Sequence, residues 1–142
     1  MELGCGLGLP SLAAAAAGAR MLATDWALDA LAYVRENAER NGVAVETLEC
    51  AWGDPGAMLS LAPFAVVLAS DVLYERINVP LLTALLPRLL AAGGEVLLAD
   101  PGRPALPDFA SELERAGWGV QALPASAPEW VRVLRLVPST AR

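Results

Sequence analysis

The sequence predicts an α/β fold: a three-layer sandwich whose sheet is mainly parallel and ends in an antiparallel C-terminal edge hairpin. Short apolar segments alternate along the chain with amphipathic segments of helical period, which is the order of β–α–β units. Residues 64–71 are almost continuously apolar, as is typical of a parallel strand covered on both faces. The length of 142 residues suits a single domain.

The elements follow in a regular order. The predicted strands cover residues 1–3, 20–25, 43–52, 64–71, 94–101, 118–125 and 130–137. The predicted helices cover residues 9–20, 27–42, 79–94 and 107–118. Pro10 in its first turn and Gly18 near its end delimit the first helix.

Periodicity and breakers define the remaining elements. The apolar face of the second helix is predicted to consist of Leu28, Leu31, Val34 and Ala38. This helix stops at Asn41 and Gly42. Pro87 is expected to kink the third predicted helix. Only a few residues separate the last two strands, so they are expected to pair antiparallel.

Composition excludes several classes of function. The formal net charge is −6, and the chain has neither lysine nor histidine. It therefore lacks the clustered positive charge of a nucleic-acid interface, and it cannot build a histidine-dependent triad or a histidine-ligated metal site. Cys5 and Cys50 are predicted to be buried apolar residues. No apolar run reaches the roughly 20 residues of a membrane span, so we expect a cytoplasmic protein without a membrane partner.

Polar or glycine-rich segments follow the first four strands. These segments are GCGLG, TDW, AWGDP and SDVLY. In open α/β sheets, ligands bind at the carboxyl ends of the strands, near the point where the strand order reverses. We therefore expect the four segments to converge on one binding site.

The glycine-rich loop favours a nucleoside ligand. Its glycines at 4, 6 and 8 form G-x-G-x-G, and Leu9 stands where the dinucleotide fingerprint requires a third glycine. Such a loop also suits a tight β–α turn. Asp25 ends the second strand 21 residues after Gly4, where a carboxylate can accept both ribose hydroxyls. The alternative role for Asp25 is to cap the helix that begins near Ala27.

The same residues resemble a known family. Residues 2–8 (ELGCGLG) are similar to the E-x-G-x-G-x-G loop of class I S-adenosylmethionine-dependent methyltransferases. Residues 51–53 (AWG) and 70–75 (SDVLYE) resemble the tryptophan–glycine turn and the D-x-x-Y segment of the branch that contains many protein-lysine methyltransferases. The resemblance covers nearly the whole chain and implies a Rossmann-like fold with S-adenosylmethionine as cofactor.

The resemblance also implies roles for individual residues toward the cofactor. Gly4, Cys5 and Gly6 would offer backbone to its methionine part, and Glu2 would help to hold its ammonium group. Asp25 would accept the ribose hydroxyls. The remaining cofactor-binding candidates are Trp26, Trp52, Gly53 and Ser70. The two tryptophans are candidates to lie against adenine, and the alternative for each is a place in the core.

Asp71 and Tyr74 are the candidate catalytic residues. A lysine amine, whose pKa is about 10.4 in solution, must lose its proton before its lone pair can attack a methyl group. A carboxylate and a phenol can accept the hydrogens of the amine and orient it for in-line transfer. The alternatives are a helix cap for Asp71 and a packed core ring for Tyr74. No metal is expected in the site.

The predicted function is N-methylation, with a protein lysine as the expected acceptor and a monomer as the expected state. One alternative acceptor is a small-molecule amine. Another reading is a catalytically silent or truncated cofactor-binding domain. Only residues 1–3 remain for the first strand, so we expect an N-terminally truncated chain that is less stable than a version extended upstream.

Overall fold

The computed structural model describes residues 1–124, 128 and 130–139. Position 125, the expected end of the sixth strand, lies outside them. The strands are β1 (Glu2–Leu3), β2 (Met21–Asp25), β3 (Val45–Glu49), β4 (Phe64–Ser70), β5 (Leu90–Asp100), β6 (Trp118–Leu123) and β7 (Arg132–Pro138). The helices are α1 (Leu9–Ala16), α2 (Leu28–Arg40), α3 (Gly56–Leu59), α4 (Asn78–Leu89) and α5 (Leu106–Arg115).

The sheet confirms the predicted fold class. Its strand order is β3-β2-β1-β4-β5-β7-β6. β1, β2, β3, β4 and β5 run parallel, whereas β7 pairs antiparallel with both β5 and β6. The predicted C-terminal hairpin is therefore present at one edge. The strand order reverses between β1 and β4, which places the expected binding crevice at the ends of these two strands.

The boundary between α4 and β5 differs from the prediction. α4 ends at Leu89 and β5 begins at Leu90, where the sequence suggested a helix to residue 94. Leu90 pairs with Phe64 of β4, and the register shifts before Val66. A Cβ at Gly94 would lie 2.9 Å from the Ala65 carbonyl oxygen. Tight pairing with β4 thus draws these residues into the sheet and overrides their local helical pattern.

β4 is less covered than its apolar sequence suggests. Ala65 and Val66 are exposed, whereas Val67 and Ala69 are buried. On this strand, the two residues of β1 pair with Leu68 and Ala69. Before Leu68, the contact on the β1 side comes from the N-terminal ammonium of Met1, which donates to the Val66 carbonyl oxygen at 2.8 Å.

Two apolar clusters flank the sheet. The larger one packs α4 and α5 against the sheet, with Leu86 and Phe109 among its fully buried side chains. The smaller one comprises Cys5, Ala23, Leu31 and Val34. The predicted face of α2 is confirmed at Leu31, Val34 and Ala38, but Leu28 is wrong: it begins the helix beside the exposed Trp26 and is itself exposed.

Candidate functional site

The four strand-end segments converge, as expected, on one cavity of about 470 Å³. This volume lies within the range of about 300–1,000 Å³ that is typical of small-molecule sites. Residues from all four segments line it. The full lining consists of Gly4, Gly6, Asp25, Trp26, Cys50, Ala51, Trp52, Gly53, Asp71, Val72, Tyr74, Glu75, Asn78 and Leu81. Eight of the eleven site residues predicted from the sequence line this cavity: Gly4, Gly6, Asp25, Trp26, Trp52, Gly53, Asp71 and Tyr74.

 The three predicted residues outside the lining are Glu2, Cys5 and Ser70.

The glycine-rich loop is shaped by two close approaches. Gly4 has a left-handed φ of 60°, and a Cβ there would lie 3.0 Å from Cζ2 of Trp52. Gly8, the N-cap of α1, has a φ of 80°, and its Cβ would lie 2.8 Å from Cγ2 of Val34 on α2. Gly6 differs, because a Cβ there would meet only open space. Gly6 is therefore the loop position at which backbone can approach a ligand.

Asp25 joins the glycine-rich loop to the residue that precedes α2. The capping alternative is wrong, because Ala27 is the N-cap of α2 and no side-chain hydrogen bond from the described residues caps this helix, and ribose binding stays a prediction. The Asp25 carboxylate is almost buried, and it accepts hydrogen bonds from the backbone N–H of Gly6 and of Ala27, each at 3.0 Å. The first hydrogen bond ties the loop to the end of β2. The second ties the end of β2 to the residue just before α2. A carboxylate offers about four acceptor sites, so Asp25 retains capacity for a ligand in the cavity that it lines.

The two tryptophans occupy different environments. Trp52 is partly buried, packs against the larger apolar cluster and also lines the cavity. Trp26 lies at the rim with 69% of its surface exposed. Trp52 therefore packs against the core and also borders the cavity, and its contact with adenine stays a prediction. A place in the core is wrong for Trp26.

Glu2 has a different role from the one that the resemblance implied. The structure buries its carboxylate, which accepts hydrogen bonds from the backbone N–H of Ser11 at 2.9 Å and from the Ser11 hydroxyl at 2.5 Å. Burial raises the pKa of Glu2, an effect that these hydrogen bonds oppose. Because its carboxylate holds the first turn of α1, Glu2 braces the loop from behind and does not line the cavity.

Cys5 and Ser70 also lie outside the lining. The backbone N–H of Cys5 donates to the Thr24 carbonyl oxygen at 2.9 Å, which extends the pairing of β1 with β2. Burial, and then the nearby carboxylates of Asp25 and Glu2, raise the pKa of the Cys5 thiol to about 12. That thiol stays protonated at neutral pH, which agrees with the predicted buried apolar role. Ser70 is an exposed residue at the end of β4.

Asp71 and Tyr74 both line the cavity. The alternatives weighed for them are wrong: α4 begins at Asn78 with Ile77 as its N-cap, and the Tyr74 ring is 51% exposed. Asp71 has a φ of 55°, rare for a residue with a side chain, and its N–H donates to the Ala99 carbonyl oxygen at 2.8 Å. This geometry turns the chain sharply out of β4 and across the cavity.

Sequence reasoning missed two residues that hold this turn. Asn78 is buried, and its side-chain amide donates to the Val72 carbonyl oxygen at 2.9 Å. Arg103 donates hydrogen bonds from Nε and Nη2 to the Asp71 carboxylate, each at 2.7 Å. Asn78 could have been found from its position, because it lies four residues after Tyr74 and directly before the predicted helix 79–94. Nothing in the spacing of residues 71 and 103 indicated their contact.

The described residues offer neither a metal-binding cluster nor a membrane-spanning helix. Within residues 1–124, 128 and 130–139, no group of three or more histidine, cysteine, aspartate or glutamate side chains could hold a metal ion. No helix in the described part of the chain has both the length and the apolar character that a membrane crossing requires.

Comparison with known proteins identifies relatives. A sequence model of the family described as "Lysine methyltransferase" matches residues 1–113. Ribosomal protein L11 methyltransferase of Pseudomonas putida (strain W619) is 32% identical over 134 residues, covering 83% of this chain and 42% of the relative. Histone-arginine methyltransferase METTL23 of Xenopus laevis is 35% identical over 81 residues, covering 53% of this chain and 34% of the relative.

A solved structure shows the same fold. Ribosomal protein L11 methylase from Lactobacillus delbrueckii subsp. bulgaricus superposes with a TM-score of 0.75 at 22% identity, covering 96% of this chain and 67% of that one. The chain spans about two fifths of the length of the L11 methyltransferase that it matches.

Proposed function

The chain belongs to the lysine methyltransferase family of class I S-adenosylmethionine-dependent methyltransferases, and from that premise we propose that it methylates a protein, at a lysine side chain. One observation carries the proposal. Asp71 and Tyr74, which can receive an amine, line the same cavity as Asp25 and Gly6, which can receive a nucleoside. A cofactor and an acceptor could therefore meet there.

The residues present fit S-adenosylmethionine. Asp25 has acceptor capacity left for the ribose hydroxyls after its two backbone hydrogen bonds. Trp52 offers a broad apolar ring to adenine. The open space in front of Gly6 lets the backbone approach the ligand without a side chain between them.

The chemistry requires little more than alignment from the protein. When bound, the cofactor would supply an electrophilic methyl carbon to the lone pair of the acceptor nitrogen. The electrons of the broken carbon–sulfur bond would stay on sulfur, and water would take the extra proton of the product. Asp71 and Tyr74 orient the amine through hydrogen bonds. Holding reactants in line contributes about 7–11 kcal/mol in favourable cases, so no histidine base is needed.

Two alternatives concern the acceptor. A relative is named a histone-arginine methyltransferase, which makes a protein arginine the second candidate. Other relatives are named for ribosomal protein L11, and both names support a protein over a small-molecule amine. A silent cofactor-binding domain would share the cavity but would transfer no methyl group.

Calorimetric titration tests the cofactor. We expect saturable binding of S-adenosylmethionine and none of NAD, because Leu9 replaces the third glycine of the dinucleotide fingerprint. Binding of NAD without binding of S-adenosylmethionine would contradict the proposal.

Transfer of an isotopically labelled methyl group tests the acceptor. Core histones and ribosomal proteins serve as acceptors, and mass spectrometry of the hydrolysed product separates methyl-lysine from methyl-arginine. We expect methyl-lysine, and Tyr74→Phe should lower turnover at least about tenfold through loss of alignment, while the Kd for S-adenosylmethionine stays unchanged. Tyr33→Phe is the matched control, because Tyr33 is an exposed tyrosine on α2. Methyl-arginine as the sole product would replace lysine with the second candidate.

A further inference from the structure

An ion pair joins the ends of β4 and β5 at the cavity. The guanidinium of Arg103 donates from Nε to Oδ1 of Asp71 and from Nη2 to Oδ2, each at 2.7 Å. Such a two-bond contact fixes both the position and the plane of a carboxylate. Asp71 lines the cavity and Arg103 approaches it from the β5 side.

Arg103 is itself held in place. Oδ1 of Asp100, a fully buried residue at the end of β5, accepts hydrogen bonds from the backbone N–H of Gly102 and of Arg103, each at 2.7 Å. Gly102 has a left-handed φ of 87°. The turn after β5 is thus built tightly, and it presents the guanidinium to Asp71.

The pair changes the charge that an acceptor meets. Asp71, Glu75 and Asp25 place three carboxylates on the cavity lining. The hydrogen bonds to Asp71 raise the pKa of Arg103, so its positive charge is permanent. Unpaired carboxylates would stabilise an ammonium, which has no lone pair, whereas a neighbouring guanidinium offsets Asp71 and disfavours a second cation.

We propose that Arg103 is a positioning residue that aims the Asp71 carboxylate and offsets its charge, so that the acceptor nitrogen is received as a neutral amine. The inference rests on the proposed function, because it assigns the pair to the methyl-transfer site. Arg103 leaves two of the roughly four acceptor sites of the carboxylate for the amine hydrogens. The ion pair is therefore compatible with an occupied acceptor site.

The effect of the Arg103 charge can be measured through cofactor affinity, so the test does not require an identified acceptor. S-adenosylmethionine carries a positive sulfonium, and S-adenosylhomocysteine carries a neutral sulfur in its place. Both are titrated calorimetrically into wild type and Arg103→Met. We expect the preference for S-adenosylmethionine over S-adenosylhomocysteine to rise about threefold or more in Arg103→Met, because the repulsion between the guanidinium and the sulfonium is lost and remains appreciable even in a water-like medium.

Companion variants separate charge from structure. Arg103→Lys keeps a positive charge and should retain the wild-type preference to within about twofold, since only the planar fork is lost. Arg40→Met is the matched control, because it removes an arginine from an exposed pair with Glu36 on α2. Asp71→Asn removes the negative charge that Arg103 offsets, and it should lower the preference for S-adenosylmethionine over S-adenosylhomocysteine. This variant gives a second measurement if Arg103→Met does not fold.

The outcomes distinguish this inference from the proposed function. If wild type binds S-adenosylmethionine but the preference is the same in Arg103→Met or in Asp71→Asn, the charge role of Arg103 is overturned and the proposed function stands. The charge role of Arg103 is also overturned if Arg103→Lys changes the preference for S-adenosylmethionine as much as Arg103→Met does. If wild type does not bind S-adenosylmethionine at all, both are overturned.

Discussion

At the scale of single residues, the carboxylate of Asp25 both holds the glycine-rich loop and lines the cavity. Asp25→Ala should raise the Kd for S-adenosylmethionine at least about tenfold, since hydrogen bonds to a charged group contribute about 1.5–3 kcal/mol each. Calorimetric titration measures the change. Asp29→Ala is the control, because Asp29 is an exposed carboxylate in the first turn of α2. Equal affinity of wild type and Asp25→Ala would exclude a ribose-binding role.

Glu2 makes stability depend on pH. Its pKa in the folded protein is raised above the ordinary 4.5, mainly by burial. As pH rises, the unfolded chain loses this proton first, so the stability present below pH 4.5 declines until the folded carboxyl has also ionised.

The replacement Glu2→Gln removes this titration. We expect the free energy of unfolding of wild type to fall relative to that of Glu2→Gln as the pH is raised from 4.5. Urea denaturation of both proteins across the acidic and neutral range measures the difference. A relative gain by wild type over the same range would show that the Ser11 hydrogen bonds outweigh burial.

At the element scale, Gly8 sets the approach of α1 to α2. Gly8→Ala should destabilise the protein by about 2–4 kcal/mol, from left-handed backbone strain together with overpacking against Val34. Gly18→Ala should cost only about 1–2 kcal/mol, because Gly18 also has a positive φ but a Cβ there meets open space. Urea denaturation provides both values.

A double mutant isolates the steric part of this cost. In a Val34→Ala background, Gly8→Ala should be less destabilising than in wild type, because the two methyl groups of Val34 are the atoms that a Cβ would strike. Additive costs would mean that backbone strain alone accounts for the effect.

The type and order of the helices and strands could be predicted from the sequence better than the residues at which they begin and end. Hydrophobic period and breakers located α2 and the strands correctly, since these signals are local. The early start of β5 depends on its contact with Phe64 and Ala65 of another strand, which no local pattern contains. The short helix α3 follows Pro55 and was not among the predicted helices.

At the scale of the whole molecule, one cavity links the ends of the first four strands. A bound cofactor should slow amide hydrogen exchange together in residues 4–8, 25–27, 50–53 and 71–75, because it contacts a single rim formed by all of them. Residues 109–115 of α5, on the far side of the larger cluster, serve as the internal control. Mass spectrometry with and without S-adenosylmethionine makes the comparison. Slowing confined to one segment would contradict a shared site.

The sequence by itself determined the order of strands and helices, the convergence of four strand ends and the residue types available there, because periodicity, glycine and proline act locally. Tertiary structure decided which side chains face the cavity. Glu2 turns inward to Ser11, nine residues away, and Arg103 reaches Asp71 across 32 residues. Contacts between residues so distant along the chain arise only when the sheet forms and brings neighbouring strand ends within hydrogen-bond distance.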